Sequence, residues 1–277
     1  MSIADIIVQV DASDASGGRA QFAARLADHL RAQLTGVFLR PSITDSYLRD
    51  AQQDETALKF PPSLIKAYDA MMDEVEGRAR SRFEDVVGER ACGRAWRRLN
   101  GDFCDDLIGA MLRTDLTVLG PGRARIVIDR TDAAGLALAS GAPILIVPDG
   151  ALEGPVARRI MVAWNGRREA ARALRQAWPL LTAADRVSVL TVGTVERSIE
   201  TGALRGLFAH HNVAAEFIVR PGDDADAGAI LLAEAERLGA DLIVMGLFGH
   251  ARWREWALGG ASREMIQRSW IPLFLAH

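Results

Sequence analysis

Glycines at positions 246, 249 and 259 follow the spacing G, two residues, G, nine residues, G, and Gly260, Ala261 and Ser262 come directly after. Glycine in such a loop lets backbone N–H groups approach a ligand with no Cβ in the way. A helix that opens on paired glycines adds its unpaired first-turn N–H groups and the positive end of its dipole, which together suit a phosphate. A plainer reading is also open: Gly246 closes a strand, Gly249 turns, and Gly259 with Gly260 starts a helix that Ser262 caps. Position separates the two, because ligands of open α/β sheets bind beyond the carboxyl ends of the strands, where the strand order reverses. The segment DLIVMG, residues 241–246, reads as a strand that delivers Gly246 to that edge. Within the nine-residue span, His250, Arg252 and Arg254 are either phosphate contacts or solvated loop charges, whereas Trp253 and Trp256 read as packing.

Other chemistry is sparse. No Walker lysine follows the glycines, and no GxSxG, HExxH or HxE with CxxC motif occurs. The five histidines show no metal-ligand spacing beyond the adjacent pair His210 and His211, which reads as the end of a surface helix. Cys92 and Cys104 form neither a CxxC nor a zinc set, which fits a reducing compartment.

The elements that must position the glycine loop come from a repeat. DLTVLG at 115–120 parallels DLIVMG at 241–246, SGAPILIVP at 140–148 parallels SWIPLFLAH at 269–277, and ADIIVQVD at 4–11 parallels RRIMVAWN at 158–165. Gly101-Asp102 and Gly222-Asp223 form a fourth matched pair, each after a third strand. Each half alternates short apolar strands with amphipathic helices, the pattern of βαβ units on a parallel sheet. Strands are predicted near 5–10, 35–39, 95–99, 115–119 and 143–147, then near 159–164, 187–192, 214–219, 241–245 and 271–275. The reading is an α/β chain of two tandem, doubly wound, five-stranded parallel sheets, with a boundary between Asp149-Gly150 and Gly154-Pro155, hence domains 1–150 and 155–277. The longest helix is expected over about 63–90, with Leu64, Tyr68, Met71, Met72, Val75, Ala79, Phe83, Val86 and Val87 as its core stripe. Residues 41–62 read as a surface insertion.

A formal net charge of −3 and a pI near 6.0 leave no excess positive charge for a nucleic-acid backbone, so no nucleic acid is expected as main partner. No apolar run reaches the roughly 18 residues of a membrane span, and Met1–Val10 reads as a strand rather than a signal peptide, so a cytoplasmic protein without a membrane partner is expected.

DLIVMG with its glycine spacing, the final strand IPLFLAH and AWNG after the strand that opens the second half together resemble the universal stress protein family in its tandem two-domain form, over nearly the whole chain. The resemblance implies a Rossmann-like fold of the adenine-nucleotide-binding type, halves packed with pseudo-twofold symmetry through their last strands, a stress-response role and further homodimerisation left open. It also implies an ATP site in the second half, with Mg²⁺ as an accompanying ion. Carried over by position, Ala163, Trp164 and Asn165 fall near the adenosine and Val192 at the base. Met245, Gly246, Gly249, Gly259, Gly260 and Ala261 fall around ribose and phosphates, with Ser262, His250 and Arg252 as further phosphate contacts. The family usually carries Asp where Asn165 stands, and Ser, Thr or Asn where Gly260 stands. In the first half Pro121 lacks an N–H and no glycine pair opens the next helix, so no ATP is expected there, and Asp11 reads as a turn or cap residue. Three functions follow: a nucleotide-responsive regulator, an ATP-using enzyme with His250 as its one candidate base and at most slow hydrolysis, or a ligand-free interaction scaffold.

Overall fold

The computed structural model describes residues 2–43, 60–88, 93–100, 103–121, 133–150, 153–193, 204–247 and 260–277. In chain order the elements are β1 (Asp5–Gln9), α1 (Asp14–Leu30), β2 (Gln33–Arg40), α2 (Pro62–Val87), β3 (Arg94–Asn100), α3 (Phe103–Met111), β4 (Leu116–Leu119), α4 (Ala133–Ser140) and β5 (Ile144–Ile146). The second half repeats them as β6 (Arg159–Ala163), α5 (Arg168–Ala183), β7 (Arg186–Val192), α6 (204–210), β8 (Ala215–Arg220), α7 (Ala227–Leu238), β9 (Leu242–Gly246), α8 (Gly260–Arg268) and β10 (Leu273–Ala276).

All ten strands lie in one sheet of order β3-β2-β1-β4-β5-β10-β9-β6-β7-β8. Each half is the predicted five-stranded, doubly wound unit with parallel pairing throughout. The halves join where β5 and β10 pair antiparallel, with Leu145 opposite Phe274. That register makes a pseudo-twofold axis, because the strands on either side of the seam follow the same order outward. The seam strands can be apolar along their whole length because they are covered on both faces.

Side-chain alternation splits the core in two. Ile6, Val8, Phe22, Phe83, Ala173, Trp178 and Phe208 pack on the face covered by α1, α2, α5 and α6. Ile7, Leu107, Leu136, Leu232 and Met265 pack on the other, under α3, α4, α7 and α8. Small residues set the close approach of α1: Ala20, Ala23, Ala24 and Ala27 are all fully buried. The long helix departs from its predicted stripe. Met72, Ala79, Phe83 and Val87 are buried, but Leu64 is 47% and Met71 50% exposed. Leu64 and Met71 lie on the flank of the stripe centred on Met72, Ala79 and Phe83, roughly a quarter-turn from that centre at about 100° per residue, so they face outward. At that edge β3 carries Arg94, Arg97 and Arg98, which blunt an otherwise open strand.

The repeated DL motif has a structural cause. Asp115 Oδ2 accepts the backbone N–H groups of Ala4 and Asp5 at 2.8 and 3.0 Å, and Asp241 accepts those of Arg158 and Arg159, both at 3.0 Å. Each aspartate thus pins the start of its half's first strand to its fourth. Asp241→Ala is expected to cost about 2 kcal/mol, since two backbone donors lose a charged acceptor; urea denaturation reads this directly.

α1 and α5 meet across the seam, bringing His29 against the second half. Burial first, and the Arg158 charge second, push the His29 imidazole below its ordinary value. The folded chain therefore protonates the ring less readily than the unfolded chain, which takes up a proton as the pH falls through about 6.5. Stability is expected to be full above that pH and to decline below it. Urea midpoints at about pH 7.5 and about pH 5.5 check this, with His29→Gln flattening the difference.

Candidate functional site

In the second half the chain runs outward from β6 through β7 to β8, then returns to β9 on the other side of β6. After β6 it enters α5 on one face of the sheet; after β9 it proceeds to α8 on the opposite face. The carboxyl ends of β6 and β9 therefore bound a switch-point crevice, the place where such sheets take ligands.

This crevice is a real cleft. Ala163, Trp164, Asn165, Val192, Met245, Gly246, Ala261 and Ser262, all expected from the sequence, line it together. Ala170, Leu190, Asp224, Ala227 and Leu231 complete the lining and were not expected. Their signal was available in outline: Ala170 and Ala227 lie in the first turns of α5 and α7, the helices that start from this same sheet edge. Gly260 is the first residue of α8, one position before the lining begins. Gly249, His250, Arg252 and Gly259, with Arg254, Trp253 and Trp256, lie outside the described residues.

Local chemistry explains each support. Trp164 N donates to Leu190 O at 2.8 Å, extending the β6–β7 ladder by one residue and fixing the turn that follows. Asn165 Oδ1 accepts from Arg167 N at 3.1 Å, a side-chain turn that leads into α5. Asp223 Oδ1 accepts from Ala225 N and Asp226 N at 2.8 and 3.1 Å, so the second Gly-Asp landmark is the turn that presents Asp224 to the cleft. Gly246 has a reason distinct from phosphate contact. A Cβ there would sit 2.4 Å from the Glu169 carbonyl carbon and 2.5 Å from Ala170 N, so only glycine lets the end of β9 touch the first turn of α5. Burial works against the Glu169 carboxylate, but its hydrogen bonds with Arg168 and with its own backbone N–H outweigh this and hold it below the ordinary range.

The inner wall is apolar: Ala163, Leu190, Val192, Leu231 and Met245. Polar groups come from Asn165, Asp224 and the buried Ser262, and the first turn of α8 borders them. Such a lining can hold a planar apolar group with a polar or anionic extension toward the helix start. Among the described residues no group of three or more His, Cys, Asp or Glu is placed to hold a metal ion. A wider concavity lies at the seam, lined by Pro121, Pro148, Asp149, Ser269 and Trp270. It lies where the carboxyl ends of β4 and β5 meet the amino end of β10, away from the β6–β9 switch point.

Residues 196–277 match the model of the universal stress protein family. The C-terminal part of the chain is thus similar to that family. The universal stress fold extends over the chain's full length: a universal stress protein from Archaeoglobus fulgidus DSM 4304 superposes with a TM-score of 0.74 at 15% identity, covering 100% of this chain and 99% of that one. A protein of Pseudomonas aeruginosa UCBPP-PA14 described as a universal stress protein superposes at 0.57 and 12% identity over 99% of this chain and 93% of its own. One of unknown function from Pseudomonas aeruginosa PAO1 does so at 0.59 and 12%, over 99% and 92%. No curated protein sequence matches the chain. In the described residues no helix is long and apolar enough to cross a membrane.

Proposed function

We propose that this chain is a nucleotide-responsive stress regulator that binds ATP, with Mg²⁺, in the C-terminal crevice. The observation that carries the proposal is the convergence of an apolar, base-sized wall with the opening turn of α8 at one switch point. In this reading the adenine rests against Val192, Leu190 and Met245, the ribose meets Asn165, and the phosphates follow Gly260, Ala261 and Ser262. Gly249, His250, Arg252 and Gly259 belong to the same phosphate loop by their spacing. Mg²⁺ would arrive with the phosphates, since the described part of the cleft supplies no ligand cluster of its own. Residues 1–150 then act as a ligand-free companion domain to residues 155–277, and the shared sheet transmits the state of the filled cleft to the partner-facing surface. The site of action is the cytoplasm.

One observation favours a ligand-free scaffold instead: Asn165 Oδ1 is already engaged by Arg167 N. Releasing and identifying nucleotide from the purified protein separates the two. Adenine nucleotide in near one-to-one ratio supports the regulator; nucleotide-free protein that also ignores millimolar ATP supports the scaffold.

A further inference from the structure

The N-terminal half has the equivalent switch point, between the carboxyl ends of β1 and β4, and a side chain of this chain sits at it. Arg19 rises from the second turn of α1 with its side chain only 6% exposed. Its Nε donates to Gln9 O, the last residue of β1, at 2.9 Å, and its Nη2 donates to Asp11 Oδ2 at 3.0 Å. A Cβ on Gly120, just past the end of β4, would lie 2.4 Å from Arg19 Nη1, so the third nitrogen covers that glycine. Asp149, beyond β5, adds a further favourable charge.

Counted from the helix caps Ser13 and Arg167, Asp11 corresponds to Asn165 and Arg19 to Ala173. The correspondence is structural as well, because Asp11 Oδ1 accepts from Ser13 N at 2.8 Å just as Asn165 Oδ1 accepts from Arg167 N. One half therefore pairs a carboxylate with an internal guanidinium, and the other pairs a neutral amide with a methyl group. A buried guanidinium cannot shed its charge, so it persists only where acceptors surround it.

We infer that Arg19 is the resident ligand of the N-terminal switch point, filling a site built of acceptors that selects a planar guanidinium cation and taking the place a solute would have there. The alternative is that Arg19 merely ties α1 to β1. This inference needs no nucleotide; it adds to the proposed function that the N-terminal switch point takes none.

Arg19→Ala should melt below wild type and regain stability when ethylguanidinium at low millimolar concentration enters the space. The gain should be about 4 °C at saturation, with ethylammonium giving none and Asp11→Ala combined with Arg19→Ala giving none. Equal response to both cations, or no response to either, overturns the inference. Should Arg19→Ala fail to fold, Arg19→Lys decides: an ammonium lacks the planar fork that meets Gln9 O and Asp11 while covering Gly120, so a clear loss of melting temperature is expected, and stability equal to wild type overturns it. Melting reads the site directly, so a protein that bound no nucleotide anywhere would still give these results.

Discussion

Phe274→Ala is expected to lower the unfolding free energy by about 4 kcal/mol, among the largest effects of any single truncation in this chain. The side chain is fully buried in the middle of β10, opposite Leu145 on β5, where the two halves become one sheet. Its removal leaves a cavity between β10 and the helices covering that face, and strands in the middle of a ten-stranded sheet have little freedom to close it. The shared core running through α1 and α5 makes wild-type unfolding a single cooperative event, so the urea midpoint should fall with little change in slope. Two separated transitions in the wild type would contradict that picture of the seam.

Gly246→Ala is the second large effect, and it strikes stability and binding together. Its Cβ would meet backbone atoms of Glu169 and Ala170, which cannot rotate away, so β9 or the start of α5 must shift. Overpacking of this kind costs about 1–3 kcal/mol. Both Gly246 and Ala170 line the cleft, so ATP affinity should also fall by about 100-fold, near 2.7 kcal/mol. Gly120→Ala is the built-in control, because its Cβ meets only the far end of the Arg19 side chain. That variant should leave ATP binding unchanged.

The fold was legible because buried parallel strands read as short apolar runs, and all ten predicted strands are present. The seam was legible for the same reason: PILIVP and IPLFLA stay apolar to their ends, as strands covered on both faces must. Helical periodicity misled at Leu64 and Met71, because three- and four-residue spacing admits residues on the flank of a stripe as readily as those at its centre, and burial centres on Met72, Ala79 and Phe83. Within the cleft, the residues on β6, β7, β9 and α8 could be placed by strand ends and glycine spacing. Asp224 and Leu231 could not, since they come from the turn after β8 and from α7, and only the return of α7 across the sheet toward β9 brings them over the cleft. Arg19 was invisible for another reason. An arginine in a helix normally faces water, and nothing local marks one that turns inward to Asp11 and Gln9.

The most direct test of the nucleotide reading is calorimetric titration of Mg²⁺-ATP into protein stripped of nucleotide, for wild type and Ala261→Asp. Aspartate in the first turn of α8 suits the helix dipole, so the variant should fold normally, yet it sets a carboxylate where the phosphates are assigned. Saturable binding of about one ATP per wild-type chain, weakened by about 100-fold or more in Ala261→Asp, is the predicted result. Equal affinity in the two proteins would contradict the site, and no binding by the wild type at millimolar ATP would contradict the function.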